Sequence, residues 1–130
     1  MKQIISEHDL QASCVHWFRF QYNRYRNLLF AVPNGVFFNA TNRNKAFAYH
    51  RKLIDEGLVS GVADLILLVP RHGFGALCIE MKTQNGRQSD KQKEWQAECE
   101  ASGNKYVVCR SFDEFRNEIN RYMQDKNMID

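Results

Sequence analysis

Residues 61–82 read GVADLILLVPRHGFGALCIEMK. Two apolar runs, 62–69 and 74–82, flank the tight link Pro70-Arg71-His72-Gly73. The first run is apolar at both odd and even positions apart from Asp64, the pattern of a strand covered on both sides and hence of an α/β sheet. The two runs are expected to pair as a hairpin. Side chains alternate along a strand, so Leu77, Ile79 and Met81 share one face, while Ala76, Cys78, Glu80 and Lys82 share the other. Ionised groups are costly to bury unless they are paired or bind a metal. Glu80 and Lys82 at the end of an apolar run therefore need an explanation.

Elements on either side complete the pattern. Ser6-Glu7-His8-Asp9 resembles a capping box, opening a helix over residues 6–22 with Leu10, Cys14, Trp17 and Phe18 at helical spacing. Residues 28–32 form a short apolar run stopped by Pro33-Asn34-Gly35, a turn signal, and an Asn-rich loop is expected over 36–44. A second helix over 45–56 is closed by Gly57. Ser89-Asp90-Lys91-Gln92 is another capping box, opening a helix to residue 101 with Gly103 behind it. Residues 105–109 read as a strand. Ser111 caps a last helix with Phe112, Phe115, Ile119 and Tyr122 on one stripe. The order helix, strand, helix, strand, strand, helix, strand, helix over 130 residues fits one layered α/β domain spanning the chain.

Composition agrees: 44% hydrophobic and 25% charged residues are those of an ordinary soluble globular chain. No basic-then-apolar leader is evident, and no apolar run approaches the roughly 20 residues that cross a bilayer. The four cysteines, Cys14, Cys78, Cys99 and Cys109, form no C-x-x-C pair; three of them fall in apolar patterns and read as buried reduced thiols in a cytoplasmic protein rather than zinc ligands. Charge is uneven. From Leu10 to Ile54 there is no Asp or Glu, and Arg19, Arg24, Arg26, Arg43, Lys45, Arg51 and Lys52 give +7, which leaves −4 for the remainder of a chain whose net charge is +3. Interleaved with aromatics, that stretch suits a polyanion-facing surface or, equally, a solvated face over core aromatics.

The hairpin sets Asp64 opposite the Glu80 end. Two carboxylates brought together repel unless a cation lies between them. All-oxygen donors favour Mg²⁺ or Mn²⁺, and the backbone carbonyl of Met81 can supply a further ligand. Lys82 beside such an ion adds positive charge where a phosphate's negative charge grows, which suits phosphodiester hydrolysis. Glu7 is a candidate third acid, directly or through water; a first-turn acid complementing the helix dipole explains it equally well. Gln92 is the fourth residue of its capping box, so structure alone accounts for it.

Gly61-Val62-Ala63-Asp64, a hairpin-length gap and Glu80-Met81-Lys82 resemble the G-x-x-D…E-x-K core of the PD-(D/E)XK nucleases. With SEHDLQ, VPNG, RKLIDEGLVSGVADLILL, IEMKTQNGRQSDKQKEW and VVCRSFDEF in this order, the chain is similar, over most of its length, to the VRR-NUC family. Ala63 stands where that family often has proline. The resemblance implies a restriction-endonuclease-like core, a central mixed β-sheet flanked by helices. It implies metal-dependent cleavage of DNA, with Asp64 and Glu80 as ligands, Lys82 catalytic, Glu7 as the helix acid and Gln92 at the site as well as in its cap. Stand-alone members of this length are phage and bacterial proteins that resemble Holliday junction resolvases and act as homodimers. Structure-selective cutting of branched DNA is the leading expectation. The alternatives are a sequence-specific restriction-like nuclease and a non-catalytic nucleic-acid-binding module.

Overall fold

The computed structural model describes residues 5–33 and 43–124, apart from the side chain of Arg43. The Asn-Gly part of the expected turn after Pro33, and the 36–44 loop up to residue 42, lie outside the described residues.

Helix α1 (Glu7–Gln21) begins at Ser6, whose hydroxyl accepts from the Asp9 N–H. A 3₁₀ segment over Asn23–Leu28, unforeseen from the sequence, leads into β1 (Leu29–Ala31). Helix α2 (Arg43–Asp55) follows, then β2 (Leu65–Leu67), β3 (Leu77–Met81), α3 (Asp90–Ala101), β4 (Lys105–Cys109) and α4 (Phe112–Met123). The strands form a four-stranded sheet in the order β1-β2-β3-β4. β1/β2 and β2/β3 are antiparallel and β3/β4 is parallel, so the sheet is mixed. A parallel pair cannot be joined by a tight turn, and α3 is its crossover.

The expected hairpin forms, but both strands are shorter than the apolar runs. At the start of the first run the Asp64 carboxylate takes the Met81 N–H at 2.7 Å, replacing a ladder bond. At its end Pro70 stops the run, and the link carries the lone bridge Arg71↔Phe74. The two faces differ as well. Leu65, Leu67, Val69, Leu77, Ile79 and Met81 are buried with Leu10, Cys14 and Phe18 of α1 and Phe115, Ile119 and Tyr122 of α4. On the other face α3 covers only part of the sheet, packing Trp95 and Cys99 on Cys78, Tyr106 and Ile66. Leu68, expected to be covered, is 54% exposed because α3 lies over the half of the sheet away from it.

Aromatic contacts join the helices beneath the first face. Trp17 of α1 meets Phe112 and Phe115 of α4 edge-on, with ring centroids 6.0 and 6.2 Å apart. All four cysteines are free and buried, and burial pushes the Cys14, Cys78 and Cys109 thiols up to about 12. Cys78 and Cys99 come together in space, Sγ to Sγ at 3.5 Å.

Candidate active site

The register Leu65↔Ile79 sets Asp64 directly opposite Glu80. Both side chains leave the sheet on the α3 face, at the end of β3. Glu80 is 1% exposed, and among the described residues it is the one buried charged or polar side chain. Its two oxygens are held separately. Gln92 Nε2 donates to Oε1 at 3.0 Å, and the Tyr106 hydroxyl donates to Oε2 at 3.1 Å. Lys82 Nζ lies 3.9 Å from Oε1, with the lysine side chain 13% exposed. Burial first, and then the neighbouring Asp64, push the Glu80 carboxyl up to about 8 against the opposing pull of Tyr106 and Lys82.

Gln92 has a divided sequence reading that the geometry unites. Its Oε1 accepts from the Ser89 N–H at 2.8 Å while its Nε2 reaches Glu80. The Ser89 hydroxyl accepts in turn from the Gln92 N–H at 3.1 Å, completing the capping box. One amide therefore caps α3 and grips the buried acid. Gly61 makes the approach possible: at φ +86° it sits against the first turn of α3, and a Cβ there would lie 2.4 Å from the Lys91 carbonyl oxygen. Any side chain would push α3, and Gln92 with it, away from the strand.

Nothing in the sequence pattern singles out Tyr106 or Gln88. Gln88 Nε2 bridges Gln96 Oε1 at 2.9 Å and the Tyr106 hydroxyl at 3.2 Å. Tyr106 pairs with Cys78 in the parallel ladder, which places it on the Glu80 face. The register of a parallel pair joined through a helix is not written in local sequence, so no signal marks it.

Glu7 is exposed in the first turn of α1, and no hydrogen bond or ion pair among the described residues joins it to Asp64 or Glu80. Nor does any group of three His, Cys, Asp or Glu side chains suited to a metal form there. Two carboxylates with a strand carbonyl are what the site offers. The basic residues divide. Arg19 lies in the last turn of α1, and Arg24 and Arg26 lie in the 3₁₀ segment, entering β1 from the end away from Asp64. Lys45, Arg51 and Lys52 are exposed on α2, which follows β1 and precedes the Asp64 segment in the chain. Arg43 begins the same helix.

A scan against protein-family models matches the VRR-NUC domain over residues 5–113, most of the chain. The chain belongs to the VRR-NUC family. A solved structure described as a "VRR_NUC domain protein" superposes with a TM-score of 0.77 at 21% identity, covering 95% of this chain and 93% of that one. That likeness shows the shared nuclease-type fold. No curated protein matches. The family's G-x-x-D and E-x-K residues here acquire physical reasons: a glycine that admits α3, an acid opposite an acid, and a lysine beside them. No described helix of this VRR-NUC chain is long and apolar enough to cross a membrane.

Proposed function

We propose that this VRR-NUC chain is a Mg²⁺- or Mn²⁺-dependent endodeoxyribonuclease that selects branched DNA, four-way junctions included, and works as a homodimer in the cytoplasm. The observation that carries the reading is the Glu80 carboxyl, buried at a strand end opposite Asp64 and beside Lys82. A purely structural fold would be more stable with an apolar side chain there.

The donor set fits a hard divalent ion. All the donors are oxygens, and Mg²⁺ in such sites uses one or two carboxylates and keeps several waters. The residues that would hold it are Asp64, Glu80 and Met81, through its carbonyl. The Met81 N–H points at Asp64, and in a strand the carbonyl of the same residue lies on the same side. Such an ion, when bound, supplies Lewis acidity and an acidified water. The chain's own groups do the rest. Gln92 and Tyr106 fix the plane of the Glu80 carboxyl, and the Met81 N–H fixes Asp64. To hold a cation, the Glu80 carboxyl would have to be ionised. The Lys82 ammonium stabilises the charge that grows on the attacked phosphate. Glu7 is the third acid, which would reach such an ion through water.

Lys45, Arg51 and Lys52, with Arg43, contact DNA phosphates, as do Arg19, Arg24 and Arg26 before β1. Paired cuts across a four-way junction need two sites related by a two-fold axis, and one chain carries one site. Four free buried thiols suit a reducing compartment.

The test uses labelled four-way junction, flap, single strand and duplex, each with Mg²⁺, Mn²⁺ or EDTA. Metal-dependent cutting of the branched substrates is expected, and Asp64→Asn or Lys82→Ala should lower the rate at least about 100-fold. Absence of metal-dependent cutting on every substrate would sink the enzyme claim. Cutting confined to one duplex sequence would favour a restriction-like nuclease. A solution mass measurement checks the dimer; a monomer making paired cuts would refute it.

A further inference from the structure

Arg110 follows β4 directly and is anchored at its main chain. Its N–H donates to Glu114 Oε2 in the first turn of α4, and the Glu114 N–H is held by the Ser111 hydroxyl at 3.1 Å. The side chain turns back across the end of the sheet. There Nη1 donates to the carbonyl oxygens of Thr83 at 3.0 Å, Gln84 at 3.4 Å, and Gly86. These three carbonyls belong to the turn that immediately follows Lys82. The turn's own closure is one hydrogen bond, Gly86 N–H to Thr83 O at 3.1 Å. Carbonyl oxygens gathered on one point repel each other, and a guanidinium nitrogen donating among them removes that repulsion.

The turn lies along the lysine. A Cβ at Gly86 would come within 3.3 Å of Lys82 Cδ and 3.5 Å of its Cβ. Besides the Nζ contact with Glu80, Lys82 is held through its N–H, which donates at 3.0 Å to the carbonyl of Cys109, the residue before Arg110. One junction, Cys109-Arg110, thus holds the main chain of Lys82 directly and its stem through the turn.

We infer that Arg110 is a positioning residue for the Lys82 ammonium. Lysine has a flexible four-carbon stem, and its charge counts in a transition state only where it is held near the reacting group. The turn narrows the directions open to the stem, and Arg110 keeps the turn in place. The inference rests on the nuclease reading of the site.

The test compares the wild-type chain with Arg110→Ala and Arg110→Lys on the junction substrate. It also follows amide exchange of residues 83–88 in the absence of DNA. Arg110→Ala should lower kcat roughly 10- to 100-fold with KM for DNA almost unchanged. Added guanidinium ion should restore part of the loss, which a general loss of fold would not allow. Arg110→Lys keeps the charge without the fork and should fall between the two. Amide exchange should quicken at 83–88 and stay as in the wild type along β3. A raised KM with unchanged kcat would make Arg110 a DNA contact and overturn the inference, as would unchanged exchange at 83–88. A wild-type chain that cuts no DNA removes the nuclease reading itself; an active wild type with an equally active Arg110→Ala removes only the positioning role.

Discussion

On one side of β3, Leu77, Ile79 and Met81 are wholly buried among the side chains of α1 and α4; on the other, Cys78 and Glu80 are just as buried beneath α3. The first face needs only volume and shape, and an apolar residue of similar size would serve at any of its positions. The second face holds an acid whose two oxygens are each gripped by a different element, Gln92 from α3 and Tyr106 from β4. Exclusion of water stabilises the fold on the first face. On the second it raises the energy of a charge and strengthens every electrostatic contact that charge makes. Equal burial within one strand can therefore serve stability on one side and reactivity on the other, and a single strand end can carry both.

Reciprocal substitutions on the two faces give the largest expected effect. Ile79→Ala should lower the free energy of unfolding by about 2–5 kcal/mol in urea titrations, with cleavage per folded molecule retained. Glu80→Gln should do the opposite: metal-dependent cleavage falls at least about 100-fold, while the metal-free protein at alkaline pH melts at a higher temperature than the wild type. A destabilised Glu80→Gln under those conditions would break the comparison.

The next effect is in the pH profile. The Glu80 carboxyl is raised from 4.5 to about 8, by burial first and then by Asp64. The folded state therefore keeps a proton that the unfolded chain has lost between those values. The stability linked to this proton is complete below the unfolded pKa and is lost as pH rises through about 8. Metal-free wild type should lose melting temperature across that window relative to Glu80→Gln. Parallel profiles for the two proteins would show that Glu80 carries no such proton.

The smallest effect separates cap from site within α3. Ser89→Ala and Gln92→Ala each remove part of one capping box and should each cost about 1 kcal/mol in unfolding experiments. Only Gln92→Ala also frees Glu80 Oε1, so only it should lower the cleavage rate. Equal rates for the two variants would leave Gln92 as a cap alone.

Legibility varied with the range of the forces involved. α3, β4 and α4 lie where the sequence places them, because Ser89 and Ser111 cap their helices within three residues and Phe115, Ile119 and Tyr122 fall on one helical stripe. The hairpin and the opposition of Asp64 to Glu80 are also legible, since alternation and a short link determine which faces agree. The ends of β2 are not: a side chain, Asp64, takes the Met81 N–H where the ladder would have continued. The exposure of Leu68 is equally hidden, because how far α3 extends over the sheet depends on the crossover and not on the strand. The 3₁₀ segment Asn23–Leu28 has no apolar period to announce it.

What the sequence determines by itself is the set of α-helices and strands, the mixed character of the fold through its family motifs, and the direction in which Glu80 and Lys82 face. Local capping, alternation and hairpin geometry are enough for these. Tertiary structure alone decides that Tyr106 and Gln92 meet on the two oxygens of one carboxyl, that Arg110 gathers the turn after Lys82, and that Gly61 lets α3 close on the strand. Each of those depends on the register between β3 and β4 or the seating of α3. Both are set by burial summed over two cores, which no short stretch of sequence contains.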